Sequence, residues 1–157
     1  MEITHQIKGL KELGDKLQRL TTLGRYALVP TVAKYALKIQ GMARRLVPVD
    51  TGLTRASILT RFYGDKLTAE IGTEKAHARG LEEGTAPHQV PPEQLAGWAR
   101  RKGMKPGAEY AIARNIARKG TKARPFLMPA YEENAPAFVD EAETTLKKDL
   151  NRLLKGA

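Results

Sequence analysis

Four residues that can bind a metal ion or transfer a proton lie within twelve positions of the sequence: His77, Glu82, Glu83 and His88. Imidazole and carboxylate groups are common zinc ligands and common general acids and bases, so a metal-dependent hydrolase is one hypothesis. The spacing fits no known zinc motif, however, and His77 lies among alanines while His88 follows a proline. We therefore interpret both histidines as loop or surface residues, and we expect no metal and no other cofactor.

The residues of other catalytic chemistries are also missing from the sequence. The chain has no cysteine, which excludes disulfides, thiolate metal sites and cysteine nucleophiles. No Ser-His-Asp order and no pair of carboxylates stands out, and the segment from Gly103 to Gly107 has too few glycines to hold a nucleotide phosphate. We predict a protein that is not an enzyme and that has no small-molecule substrate.

The chain carries a formal net charge of +10, and much of this charge lies between residues 96 and 124. That segment has nine lysines and arginines against one acidic residue, a net charge of +8. Clustered cations attract phosphates whatever the sequence, so the segment could face nucleic acid or an acidic protein ring, or it could be a solvated face. The basic cluster comprises Arg100, Arg101, Lys102, Lys105, Arg114, Arg118, Lys119 and Lys122.

Apolar residues at helical spacing predict two helices in the first third of the chain. The first contains the apolar positions from Ile7 to Leu20 and ends near Gly24. The second begins at Pro30, since proline suits the first turn of a helix, and it stops at Pro48. Charged residues fill the other faces of both helices, so each is amphipathic.

The middle of the chain has the composition of a β-hairpin. Residues 58–63 and 67–71 are rich in β-branched, aromatic and apolar side chains, and residues 64–66, Gly-Asp-Lys, have the character of a turn. A lone hairpin is marginally stable, so we expect further strands. Residues 85–90 or a neighbouring subunit could supply them, and the sequence does not decide between these sources.

Helical patterns return after the hairpin. A short helix begins at two prolines and ends at a glycine over residues 91–103, and another covers residues 107–119. On the second of these, two isoleucines face one way while Arg114 and Arg118 lie about 200° around the axis. A long amphipathic helix follows Pro129 and runs toward the C-terminus.

This order of elements predicts an α+β fold in which a small antiparallel sheet packs against long amphipathic helices. The length of 157 residues suits one domain, which we assign to residues 1–157. No stretch approaches the roughly 18 consecutive apolar residues of a membrane span, and the N-terminus lacks the apolar core of a signal peptide. We therefore expect a protein that is made in the cytoplasm and does not contact a membrane.

Glycine and proline mark three corner motifs, over residues 47–58, 81–88 and 120–130. In the first, Asp50 and Thr51 can bond to nearby backbone N–H groups, and Gly52 can adopt a positive φ. We predict structural corners and no catalytic role. The motif residues are Pro48, Asp50, Thr51 and Gly52 in the first motif, Glu82, Gly84 and Thr85 in the second, and Arg124, Pro125, Phe126 and Pro129 in the third.

At these three motifs the chain resembles the head-tail joining, or tail-completion, family of long-tailed bacteriophages and prophages, also called gene-ten-like. In that family a helix runs into a Pro-Val-Asp-Thr-Gly-x-Leu-x-x-Ser-Ile-like stretch, met here by residues Pro48 to Ile58, with Thr54 and Ala56 within it. A Glu-x-Gly-Thr-like segment follows, matched from Glu82 to Thr85, and then Arg-Pro-Phe-Leu-x-Pro-Ala, matched from Arg124 to Ala130. The motifs occur in the family's order, and the resemblance covers most of the chain.

Two departures from the family pattern accompany the resemblance. Many relatives place Tyr-Ala a few residues ahead of the second motif, where this chain has Ala76-His77-Ala78. The segment between the second and third motifs is also longer than in the shortest members, and it looks like that of a prophage subgroup.

The resemblance implies a structural virion protein that is made in the host cytoplasm and assembles at the neck or at the head-proximal end of the tail. It implies a homo-oligomeric ring around the DNA channel, with neighbouring neck, connector or tail-tube proteins as partners and non-specific contact with packaged DNA. The alternative is a basic nucleic-acid-binding module. That alternative lacks a zinc-ligand set, an aromatic RNA-stacking motif and a convincing recognition helix.

Overall fold

The computed structural model describes residues 10–155. The elements in chain order are α1 Leu10–Leu46, α2 Leu53–Ser57, β1 Leu59–Tyr63, β2 Thr68–Gly72, α3 His77–Glu83, α4 Pro92–Arg101, α5 Ala108–Lys119 and α6 Leu127–Lys155. The protein is mostly helical, with a small antiparallel sheet packed against helices, so the predicted α+β fold is confirmed. None of the described helices has both the length and the apolar character that crossing a membrane requires.

The first helix is a single rod of 37 residues, so the prediction of two helices separated near Gly24 is wrong. Pro30 lies inside the helix, where it removes one backbone donor without ending the helix. A Cβ added at Gly24 would lie 3.3 Å from Cδ2 of Leu146 on α6, so this glycine lets the two helices approach closely. Packing at that contact outweighs the low helix propensity of glycine. The predicted start of the helix at Ile7 lies outside the described residues.

The longest interface in the fold joins α1 to α6, which run antiparallel. The rings of Tyr35 and Phe138 meet edge to face, with centroids 5.6 Å apart. Lys34 Nζ and Tyr35 Oη donate to Oε2 of Glu141 at 2.6 and 3.1 Å. The hydrogen bond from Lys34 holds the pKa of the Glu141 carboxyl below its usual range. The two helices are therefore joined by an aromatic contact and an ion pair.

The last helix begins at Leu127, before the position that the sequence predicts, so Pro129 lies in its first turn. A proline is tolerated there because the N–H groups of the first turn have no acceptor within the helix. Pro136 also lies inside the helix. The prediction that the helix follows Pro129 is thus wrong by about three residues, or nearly one turn, and Pro129 is part of the helix start.

The predicted hairpin is confirmed: β1 and β2 pair antiparallel, with Leu59 opposite Gly72 and Tyr63 opposite Thr68. Oγ1 of Thr60 donates to the side-chain oxygen of Gln40 at 3.2 Å, which fixes one face of the sheet on α1. The expectation of a third strand is wrong within residues 10–155, where the sheet has two strands. In the 85–90 segment, Thr85 instead forms an isolated bridge with Thr121.

The core lies where the C-terminal half of α1 meets the hairpin, α3 and the start of α6. Ile58, Phe126, Ala43 and Ala130 have no exposed surface. The two predicted helices α4 and α5 are confirmed, and they pack mainly on each other. The short helices α2 and α3 were not predicted.

Candidate functional site

The second and third corner motifs are joined by Glu82. Its Oε2 accepts the backbone N–H groups of Phe126 and Leu127 at 2.8 and 3.0 Å, and its Oε1 accepts that of Met128 at 2.8 Å. These N–H groups begin α6, where no acceptor within the helix exists and where the helix dipole favours a negative charge. Glu82 on α3 therefore caps a helix that begins more than 40 residues later.

The same two motifs are joined by an isolated antiparallel β-bridge between Thr85 and Thr121. The N–H of each residue donates to the carbonyl of the other, at 3.0 and 3.1 Å, and the two hydroxyls lie 2.9 Å apart. A Cβ at Gly120, whose φ is +70°, would lie 1.8 Å from the carbonyl oxygen of Thr85. A Cβ at Gly84, whose φ is +76°, would lie 2.7 Å from the carbonyl oxygen of Thr121. Both positions require glycine, for space and for backbone conformation.

The first corner motif is tied to α4 by a pair of charges. Nε and Nη2 of Arg101 donate to the two carboxylate oxygens of Asp50 at 2.9 and 2.5 Å, and Nζ of Lys102 donates to the carbonyl of Val49 at 3.2 Å. The hydrogen bond from Arg101 lowers the pKa of Asp50. Asp50 thus bonds across the fold, and the expectation that it bonds to nearby backbone is wrong. Gly52 adopts the expected positive φ, +82°, at the start of α2.

The end of the first motif is held by α1. The carbonyl of Ile58 accepts from Nε2 of Gln40 at 2.9 Å and from Nη2 of Arg44 at 2.7 Å. The hydroxyl of Ser57 lies 2.7 Å from that of Thr73, just after β2. Since the Ile58 side chain is fully buried, these bonds let the backbone turn into β1 without leaving an unsatisfied carbonyl.

Apolar residues of all three motifs lie in one hydrophobic cluster. Val47 and Ile58 come from the first motif, Leu81 packs on the cluster from the second, and Phe126 and Ala130 come from the third. We call this convergence the motif junction, which comprises Val47, Ile58, Leu81, Glu82, Thr85, Thr121, Phe126 and Ala130.

The remaining motif residues lie at the edge of the motif junction. Pro48 is half-buried, whereas Thr51, Arg124 and Pro125 are exposed. Arg124 contributes through its backbone, since its N–H donates to the carbonyl of Leu81 at 2.7 Å. Any residue other than proline could make this contact, so the structural role of the Arg124 side chain stays a prediction.

The four residues of the metal hypothesis have separate structural partners. Nε2 of His77 lies 2.7 Å from the Thr54 hydroxyl, and Glu82 caps α6. Glu83 pairs with Arg79 at 2.9 Å, and Nδ1 of His88 lies 2.9 Å from a backbone carbonyl. Throughout residues 10–155, no group of three or more His, Asp or Glu side chains is arranged to hold a metal ion.

The basic cluster is divided between α4, α5 and the segments that follow them, and all eight of its side chains are exposed. Two of the eight, Arg101 and Lys102, are bonded to the first corner motif. The others make no side-chain hydrogen bond or ion pair within the described residues: Arg100, Lys105, Arg114, Arg118, Lys119 and Lys122.

The faces of α5 are arranged as the sequence predicts. Ala113 is buried and Ile112 and Ile116 are half-buried, whereas Arg114 and Arg118 are exposed. A cleft of about 350 Å³ between α4 and α5 is lined by alanines and by Met104, with Arg100 and Glu109 among its polar residues. Glu109 accepts the backbone N–H of Gly107 at 3.1 Å, so it supports the turn before α5.

Comparison of the chain with known protein families, with curated proteins and with solved structures found no match. The resemblance to the head-tail joining family therefore stays a prediction. The function has to be inferred from the motif junction and from the exposed charges.

Proposed function

We propose that this protein is a structural, non-enzymatic component of the junction between the DNA-filled head and the tail of a tailed bacteriophage or prophage. The observation that carries the proposal is the motif junction. The three motifs on which the family resemblance rests contact one another, and Glu82, Gly84, Thr85 and Phe126 each have a defined structural task there.

The protein acts through shape, surface charge and assembly. A two-stranded sheet has an unpaired edge on each strand, and such edges invite pairing with another chain. Several large apolar side chains are also exposed, among them Leu59 at 56% and Phe62 at 48% on β1. Exposed apolar surface of this kind favours contact with other proteins. The partners in the proposal are copies of the chain in a ring and the neck, connector or tail-tube proteins beside it in the virion.

The basic cluster is the part of the surface that meets packaged DNA or an acidic neighbouring ring. Six of its cations lack an intramolecular ion pair in the described part of the chain, so their charge is available to a partner. Contacts of this kind release counterions and weaken as salt is added. Arg101 and Lys102 contribute less, because they are already bonded to the first corner motif.

A basic nucleic-acid-binding module is the second candidate, and the exposed cations of α5 favour it. The two candidates differ in DNA affinity. A dedicated binder retains duplex DNA at physiological salt, whereas a channel protein needs no such affinity. Tight binding to a free duplex at that salt would favour the second candidate.

The proposal is tested by joining in vitro. Heads and tails are taken from a phage strain in which the gene for this chain is disrupted, and the purified protein is added back. We expect infectious particles to be restored. The variant Arg100→Gln/Lys105→Gln/Lys122→Gln should restore fewer, with a shallower dependence on salt.

The matched control is Arg45→Gln/Lys75→Gln/Lys148→Gln, which removes the same charge from exposed sites outside the basic cluster and outside the three motifs. It should join as the wild type does. Purified wild-type protein that restores no joining would contradict the proposed role. Equal joining by both triple variants would show that the basic cluster has no part in joining, and it would leave the rest of the proposal standing.

A further inference from the structure

Charge is segregated between two exposed surfaces of this chain. Residues 127–143, the first half of α6, carry five carboxylates and no lysine or arginine. Residues 96–124, which include the last six residues of α4 and all of α5, carry nine cations and one carboxylate. Opposite charges on separate surfaces of one chain make two copies complementary to each other.

The acidic surface of α6 contains exposed apolar residues. Met128, Glu132, Val139 and Glu143 share one side of the helix, within about 60° around its axis. Met128 is 56% exposed and Val139 is 50% exposed, and they alternate with the two carboxylates. We call these four residues the acidic stripe. Asp140 is exposed beside it.

The outer face of α5 has the opposite charge and a similar length. Tyr110, Arg114 and Arg118 follow one another at intervals of four residues, so neighbouring side chains are about 6 Å apart along the axis. Tyr110 is 58% exposed, and both arginines are exposed. We call these three residues the basic ladder. It spans about 12 Å, and Glu132 and Val139 on the acidic stripe lie about 10 Å apart by the same rise.

We propose that the basic ladder of one copy binds the acidic stripe of the next copy. With the two helices antiparallel, the ring of Tyr110 covers Val139 and the guanidinium of Arg118 faces Glu132, because these residues lie about 12 Å apart on α5 and about 10 Å apart on α6. Arg114 lies between the two contacts and adds positive charge beside the acidic stripe. Because the two surfaces are different parts of the chain, the contact is head-to-tail, and its repetition closes a ring if the rotation between copies permits. This inference rests on the proposed function, since a ring around a channel is what that function requires.

A second copy fits these surfaces better than DNA does. Duplex DNA would neutralise Arg114 and Arg118, but it would leave Met128 and Val139 exposed to water. Two carboxylates of residues 127–143 already have a partner within the described chain: Glu141 binds Lys34, and Glu143 lies 3.0 Å from Lys147 in an exposed pair. DNA would leave the other carboxylates of this segment without a partner. The second copy provides both apolar cover and charge for the same stripe.

Charge reversal on purified full-length protein tests the contact. Arg114→Glu/Arg118→Glu reverses the basic ladder, and Glu132→Arg/Glu143→Arg reverses the acidic stripe. Analytical ultracentrifugation at low salt should show wild-type association that increases with concentration. Each reversed variant should associate at least about tenfold more weakly, because like charges then face each other. An equimolar mixture of the two variants should recover association, since reversed ladders match reversed stripes.

The control Arg55→Glu/Lys75→Glu changes the net charge as the ladder variant does and should associate like the wild type. The proposal is overturned if the wild type is monomeric at about 1 mM, if either reversal leaves association unchanged, or if the mixture stays monomeric. It is also overturned if the ladder arginines prove necessary for binding a DNA duplex and unnecessary for self-association.

Cross-linking locates the contact independently. The chain has no cysteine, so Ala111→Cys on α5 and Val139→Cys on α6 introduce the only thiols. A mixture of these two variants should form disulfide-linked dimers, whereas Val139→Cys mixed with Arg55→Cys should not. Self-association is measured without heads or tails. If the ladder and stripe variants join heads to tails as well as the wild type does, the inference about the contact is overturned and the proposed function is not. If the protein associates through these surfaces but does not join heads to tails, the proposed function is overturned and the contact is not.

Discussion

Replacing Glu82 by alanine removes the carboxylate that holds the start of α6. Three backbone N–H groups, those of Phe126, Leu127 and Met128, then lose their acceptor. The side chain of Phe126 is fully buried, so water has poor access to replace the lost bond at that residue, whereas Met128 is exposed and its N–H can be solvated. The effect should therefore exceed that of losing an exposed helix cap.

The magnitude follows from two contributions. Loss of a side-chain cap reduces stability by about 1 kcal/mol. A buried N–H left without a partner adds about 1–3 kcal/mol. We expect the free energy of unfolding of Glu82→Ala to fall by about 2–4 kcal/mol, which lowers Tm by roughly 6–12 °C in a domain of this size. Glu82→Gln keeps one acceptor oxygen and should lose about half as much.

Urea unfolding followed by circular dichroism measures the free energy of unfolding of each variant. Equal m-values for the wild type and the variants would show that the surface exposed on unfolding is unchanged. Glu83→Ala is the matched control, because Glu83 is the next residue on α3 and its partner Arg79 is exposed. An exposed ion pair of this kind contributes little to stability. If Glu82→Ala were no less stable than Glu83→Ala, the assignment of Glu82 as the cap of α6 would be refuted.

Two further predictions concern the corners. Gly120→Ala places a Cβ 1.8 Å from a carbonyl, at φ +70° and ψ −158°, whereas Gly107→Ala meets nothing within 4 Å in the left-handed helical region, at φ +90° and ψ −9°. We expect Gly120→Ala to be less stable than Gly107→Ala by at least about 2 kcal/mol in urea unfolding, and equal stabilities would contradict the close approach. The second prediction concerns Asp50, whose pKa in the folded protein is lowered by the hydrogen bond from Arg101. The ionised carboxylate therefore stabilises the folded protein fully above the pKa of an unfolded Asp, about 4. This stabilisation is lost as the pH falls through the pKa of the folded protein. The Tm difference between wild type and Asp50→Asn should therefore shrink as the solution is acidified, and a gap that does not change with pH would contradict the ion pair; Asp65→Asn, at an exposed turn, is the control.

The hairpin, α4 and α5 could be predicted because their signals are local. Two runs rich in β-branched, aromatic and apolar residues around a Gly-Asp-Lys turn predict the hairpin, and two prolines at 91–92 mark the start of α4. The boundary at Gly24 could not be predicted, because what keeps α1 continuous there is the approach of Leu146 from the other end of the chain. Glycine alone favours a stop, and tertiary packing reverses that preference.

The cap on α6 was missed for a related reason. The residues before the helix, Arg124, Pro125 and Phe126, include none of the Ser, Thr, Asp or Asn side chains that usually cap a helix from its own sequence. That absence is a signal that the cap comes from elsewhere in the chain. It does not identify Glu82, because several carboxylates were available and only the fold brings this one to the helix.

The helix α3 was missed because its sequence, His-Ala-Arg-Gly-Leu-Glu-Glu, is short and has a central glycine. A Cβ at Gly80 would lie 3.0 Å from Cγ2 of Thr85, so glycine there allows the second motif to fold back on the helix. Its role is set by tertiary contact, which local propensity does not report. The three motifs were found from the sequence as corners, and their convergence required the structure.

The measurement that tests the central claim most directly is electron microscopy of particles from a phage or prophage in which the gene for this chain is disrupted, compared with the complemented strain. We predict filled heads and finished tails that lie separate, and their rejoining when the gene is restored. Intact virions in the disrupted strain would contradict the claim.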